Sequence, residues 1–150
     1  MDTVERPAPR IVVGVDTSDA SKAALRWAIR QAEATGATVE AVMAWERPTG
    51  WYGWAPAGVG VYDFEGLARK SLDRAVTHAL EGVPPQVRID ARTIEGHPAA
   101  VLLDQAQDAA LLVVGDRGLG TFTRALLGSV CQHCVHHAAC PVVVVRAPRE

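Results

Sequence analysis

The sequence predicts an α/β protein: a parallel sheet with helices on both faces. Three observations carry this reading. Short β-branched apolar runs alternate with longer Ala- and Leu-rich segments of helical spacing, the succession that builds crossover-connected parallel sheets. Strand runs such as Leu111–Gly115 (LLVVG) and Pro141–Arg146 (PVVVVR) are uniformly apolar, as strands covered on both faces require. The chain has 150 residues, 49% hydrophobic and 21% charged. That suits one domain spanning residues 1–150 with a sizeable core, residues 1–9 reading as a flexible N-terminal segment.

The elements follow in order. Ile11–Val15 (IVVGV) is a short strand buried on both faces. Ser18 to Thr35 is helical, with Leu25, Ala28, Ile29 and Ala32 at helical spacing and Gly36 as its stop. Thr38–Trp45 (TVEAVMAW) is the second strand. Residues 46–62, dense in Gly, Pro and aromatics, read as a loop. Phe64 to Leu80 returns to helical spacing and ends at Gly82. Gln86–Ile94 is a third strand, polar enough for a sheet edge. Pro98 to Gln107 is a helix, with proline fitting its first turn. Leu111–Gly115 is the fourth strand, Ser129–Ala138 the last helix, and Pro141–Arg146 the fifth strand.

Charge and cysteine content narrow the function classes. Fifteen basic against seventeen acidic residues give a net charge of −2, which offers no electrostatic grip on nucleic acid or anionic lipid. Three cysteines are too few for a disulfide scaffold, so a reducing cytoplasm is the expected compartment. The opening residues carry charges and prolines, with no apolar stretch of signal-peptide length. The uncharged stretch Ala125 to Val145 has the length of a membrane span, but it divides into a helical half and a strand half and reads as core.

In an open parallel sheet a ligand lies beyond the carboxyl ends of the strands, where strand order reverses. Two polar segments sit there. Asp16, Thr17 and Ser18 follow the first strand, and Gly115-Asp116-Arg117-Gly118-Leu119-Gly120-Thr121 follows the fourth, leading to Gly128-Ser129. Gly115, Gly118 and Gly120 permit positive φ and let amide N–H groups face a ligand. Ser129 with Gln132 has the form of a capping box, which would mark a helix N-terminus and hence an anion site suited to phosphates. Arg117 adds a cation. A tight turn with an ordinary N-cap explains the glycines equally well. Asp16 is open to two uses, capping the first helix with Ser18 or accepting hydrogen bonds from ribose hydroxyls.

The run Gly115-Asp116-Arg117-Gly118, then nine residues, then Gly128-Ser129 matches G-2x-G-9x-G-[S/T], and so resembles the universal stress protein family. GVDTS, AVMAW, EGHPA and PVVVV agree, so the similarity spans the chain and is strongest with the single-domain, ATP-binding branch. The resemblance implies a Rossmann-like, adenine nucleotide alpha hydrolase-like sheet of order 3-2-1-4-5. It implies ATP between strands 1 and 4, with Mg²⁺ as an open companion, and a homodimer through the last strand, residues 141–146. By the same resemblance Asp16 would meet the ribose and Ala44 would offer backbone contacts to adenine. Gly115, Arg117, Gly118, Leu119, Gly120, Thr121, Gly128, Ser129 and Val130 would surround the phosphates and ribose, with Gly14 keeping the floor open. Two positions depart from the family pattern. Asp116 stands where serine is common, leaving it to hold Mg²⁺, face solvent or weaken affinity. Cys131 replaces a usual Ser or Thr.

Other features have plainer explanations. Cys131, His133, Cys134, His136, His137 and Cys140 suggest a metal cluster, yet they fall on one continuous helix and its exit, where small cysteines pack inward. The aromatic loop after the second strand serves either as a lid or partner surface or as a loop packed on itself. His97 reads as structural. The expected function is an ATP-binding regulatory, stress-response protein with an unknown protein partner and little or no turnover, because the phosphate loop contains no lysine and no G-x-x-x-x-G-K-[ST]. The alternatives are a slow ATP-hydrolysing enzyme using Asp16 or Asp116, and a dimeric scaffold that binds no nucleotide.

Overall fold

The computed structural model describes residues 7–47, 63–83, 86–118 and 127–148. The elements are β1 (Arg10–Gly14), α1 (Asp19–Thr35), β2 (Thr38–Trp45), α2 (Phe64–Ala79), β3 (Ile89–Glu95), α3 (Pro98–Gln105), β4 (Leu111–Gly115), α4 (Ser129–His137) and β5 (Val142–Val145). The strands form one sheet of order β3-β2-β1-β4-β5, and every neighbouring pair is parallel. The fold class and strand order are those the sequence implies.

Alternation within the apolar strands explains the two-faced core. Ile11 and Val13 of β1 and Val113 of β4 face α1 and α2, joined by Leu25, Ile29 and Leu72. Val12, Leu112 and Val114 face the opposite way, against Val101 and Leu102 of α3 and Cys131 and Cys134 of α4. Each strand residue therefore finds a core whichever way it points, and a period-2 signal has no reason to appear.

Element ends are decided by local chemistry. Ser18 is the N-cap of α1 and its hydroxyl accepts from Ser21 N–H at 3.2 Å. Gly36 closes that helix in the left-handed region at φ 75°, donating its N–H to Ala32. His97 caps α3, its Nδ1 accepting from Ala99 N–H at 3.3 Å. That gives the residue a defined structural job. Several expected bounds shift. β1 begins at Arg10 and not Ile11, in register with Thr38. β3 starts at Ile89, later than Gln86. α3 ends at Gln105, short of Gln107, and the chain then turns through Asp108 at φ 63°. β5 begins after Pro141, which has no N–H for the ladder but whose carbonyl accepts from Leu112 at 3.0 Å.

The expected capping box at Ser129 is not formed. The N-cap of α4 is Gly128, Ser129 is the first helical residue, and Gln132 Nε2 turns to the Leu127 carbonyl at 3.3 Å. The stretch that matched a membrane span in length resolves into α4 and β5, and among the described residues no helix is long and apolar enough to cross a membrane.

Candidate functional site

The chain leaves β1 toward α1 on one face of the sheet and leaves β4 toward α4 on the other. Two adjacent parallel strands whose exits diverge open a crevice at their carboxyl ends. A cleft of about 450 Å³ lies there. Its walls include Gly14 and Asp16 from β1 and its exit, Ala44 from β2, Gly115, Arg117 and Gly118 from the β4 exit, and Ser129 and Val130 from α4. Eight expected site residues, distant in sequence, thus meet in one hollow.

Asp16 serves the turn before α1 and also reaches the cleft. Its Oδ1 accepts from the N–H and hydroxyl of Ser18, closing an Asx turn before α1. Its Oδ2 lies on the Gly118 side of the cleft, 2.7 Å from where a side-chain Cβ at 118 would stand. The loop between β1 and α1 is further held by Ser21 Oγ, which accepts from Asp16 N–H at 3.2 Å, and by Thr17 in the left-handed region at φ 71°. A non-glycine residue rarely adopts that conformation.

The motif glycines act through space rather than through φ. The described glycines with positive φ are Gly36, Gly82 and Gly96, none of them in the motif. A Cβ on Gly115 would stand 2.7 Å from the backbone carbon of Ala20, so this glycine lets the first turn of α1 approach β4. A Cβ on Gly128 would meet Arg117 Cα and Gly118 N at 3.3 Å, so Gly128 lets the α4 entrance close on the β4 exit. Gly14 makes room for Leu102, whose Cδ1 lies 2.7 Å from the missing Cβ. The expectation of positive φ at Gly115 and Gly118 is therefore corrected to one of close approach.

Two expected residues stand behind the wall. Gly128 donates its N–H to the Asp116 carbonyl at 2.7 Å, and Asp116 donates its own to Val145 at 2.8 Å. The Asp116 carboxylate turns toward β5, with Oδ1 accepting from Ala147 N–H at 3.4 Å, and it does not line the cleft. These bonds brace the loop from outside. Leu119, Gly120 and Thr121 lie outside the described residues, as do residues 48–62 of the aromatic loop.

Polar groups without a described partner lie where a ligand would sit. Arg117 Nε is buried without a hydrogen-bond partner among the described residues, a costly arrangement unless another molecule accepts from it. The first amides of α4, at Ser129 and Val130, have no carbonyl four residues back within the helix. Ser71 from the middle of α2, together with Thr17, Ser21, Met43 and Pro98, completes the walls. The segment after β1 advertised Thr17, but nothing in the sequence pointed to Ser71, which only the packing of α2 brings in.

Cys131 adds to the cleft wall, but the cysteines and histidines of α4 do not gather into a metal centre among the described residues. Cys131 and Cys134 are buried, while His133, His136 and His137 face solvent. Burial first, then the neighbouring Cys131, pushes the Cys134 thiol from 9.0 up to about 11. Burial, helped by the charge of Asp116, also raises Cys131. Protonated, inward-facing thiols are poor nucleophiles and poor metal ligands.

Comparison with known proteins agrees with this geometry. The model of the universal stress protein family matches residues 8–146. A universal stress protein of Thermus aquaticus, encoded in the QAH/OAS sulfhydrylase 3' region, is 37% identical over 143 residues, covering 91% of this chain and 97% of that protein. A universal stress protein of Mycobacterium tuberculosis is 33% identical over 140 residues, 90% of this chain but only 46% of that protein, so the chain spans about half its length. Among solved structures, a universal stress protein in complex with cAMP superposes with a TM-score of 0.70 at 26% identity, covering 95% of this chain and 100% of that one. With the motif, the strand order and the cleft in one place, the chain belongs to the universal stress protein family.

Proposed function

We propose that the cleft between β1 and β4 binds an adenine nucleotide, ATP by preference, and that the protein acts as a nucleotide-dependent regulator with little or no turnover. The observation that carries this reading is Arg117, whose buried Nε lacks an acceptor inside a cleft also lined by the first residues of α4. A phosphate chain supplies acceptors to both, and the positive end of the helix favours its charge. Asp16 Oδ2 is the acceptor for ribose hydroxyls, and Ala44 with Val42 gives the apolar wall for the base. The relative solved with cAMP supports the ligand class.

Low turnover follows from the same inventory. Among the described residues lining the cleft, Arg117 supplies the cation and Asp16 the carboxylate, and Asp16 already holds the turn before α1. Asp116, the other candidate for Mg²⁺ or for a base, is turned toward Ala147. Regulation then requires that nucleotide-bound and empty states differ in affinity for a protein partner. Among the described residues β5 ends the sheet and pairs with β4 alone, so its outer edge is the proposed seat of a homodimer. Free thiols at Cys131, Cys134 and Cys140 suit a cytoplasmic setting.

The test is to identify the small molecule released on denaturing freshly purified protein and to titrate ATP into wild type and Gly118→Val. Wild type is expected to bind and the variant to lose binding, because the new side chain meets Asp16 Oδ2. An empty wild-type cleft with no ATP binding overturns the nucleotide reading in favour of a scaffold. Rapid magnesium-dependent hydrolysis overturns the regulatory one.

A further inference from the structure

We propose that the groove between α1 and α2, which adjoins the nucleotide cleft at Thr17 and Ser71, is a second anion site that takes an oligophosphate chain. The groove encloses about 330 Å³, within the size range of small-molecule sites. Lys22 and Arg26 line it from α1, and Arg74 and His78 from α2. The chain as a whole carries fifteen basic against seventeen acidic residues, so this concentration of positive charge is local and not a reflection of bulk composition.

His78 has a carboxylate partner, whereas Lys22, Arg26 and Arg74 have none among the described residues. Among the described residues, the ion pairs on α1 and α2 are Arg69 with Asp73 at 3.5 Å and His78 with Glu81 at 3.7 Å. Lys22, Arg26 and Arg74 take part in neither, so three cations face a shared hollow and repel one another. Thr17 and Ser71 add hydroxyls at the end nearest the cleft.

Spacing selects the ligand. Lys22 and Arg26 are four residues apart, which sets two levels of charge about 6 Å apart along α1, and Arg74 faces them from α2. A single phosphate engages one level; a chain of phosphoryl groups engages both. The apolar lining is Ala75 and Ala79, too small a surface to hold a base, so the recognised part is the anion. This proposal does not depend on nucleotide binding at the cleft.

Calorimetric titration of the full chain with sodium tripolyphosphate tests it. Wild type is expected to bind one tripolyphosphate in the groove. Arg26→Ala/Arg74→Ala is expected to weaken that event about tenfold or more, two charge-assisted contacts being removed. Arg30→Ala/Arg88→Ala removes the same charge outside the groove and is expected to leave affinity within about twofold. Both pairs lie on the protein surface, and matching melting temperatures would confirm that folding is intact. No tripolyphosphate binding by wild type overturns the proposal. So does equal weakening by the two double variants, or an Arg26→Ala/Arg74→Ala protein that binds as wild type does.

Discussion

The two ends of the sheet treat polar groups in opposite ways. At the amino end, Glu40 is buried in β2 yet paired twice, with Arg10 at 2.7 Å and Arg92 at 3.3 Å. Arg10 also donates to the carbonyl of Gln105 at 2.9 Å, satisfying the C-terminus of α3. At the carboxyl end, Arg117 Nε is buried with no partner among the described residues, and the first amides of α4 have no helical acceptor. A charge fully answered from within holds structure together. One left unanswered in a cleft is held for something that arrives.

That contrast makes different demands on substitution, and the largest expected effect falls at the amino end. Glu40→Ala strands two guanidinium groups, one already bound to a helix end, and should destabilise the protein by about 3 kcal/mol in denaturant melts. Nucleotide affinity of the folded fraction should stay the same. Gly115→Ala comes next: its Cβ stands 2.7 Å from Ala20 backbone, which cannot yield as a side-chain tip would. A loss of about 2 kcal/mol is expected, again by denaturant melting.

Arg117→Leu sharpens the comparison, since it should separate stability from binding. Removing an unsatisfied donor should raise stability by about 1 kcal/mol, while ATP affinity falls about tenfold or more by calorimetry. A variant that loses stability would mean that Arg117 belongs with Glu40 as a structural charge. The last effect, silent near neutral pH, concerns Cys134. Its folded thiol is raised from 9.0 to about 11, so the fold favours the neutral form. The associated stability is full below pH 9.0 and drains away as pH rises toward about 11, which denaturation midpoints across that window would show and Cys134→Ala would remove.

Much of the site was legible because its residues follow strands. A polar, glycine-dense segment directly after a buried strand has few structural reasons to exist, and Asp16, Arg117 and Gly118 were found that way. The sense of the glycines was not legible. Gly115 and Gly118 suggested unusual φ, whereas their need is for space against Ala20 and Asp16, partners set by how the segments pack. Asp116 read as a cleft residue from its place in the motif, and its carboxylate in fact turns to Ala147. Ser71 and the basic groove gave no signal, because α1 and α2 are neighbours only once the sheet has assembled.

The sequence by itself determined the order of elements, the parallel sheet and the location of the crevice, since β-branched runs, helical spacing and chain connectivity restrict the topologies available. Only the tertiary structure decided which polar atoms are answered and which are left open. Whether Glu40 finds Arg10 and Arg92, or Arg117 Nε finds nothing, depends on distances between segments far apart in the chain. Local sequence has no means of setting those distances.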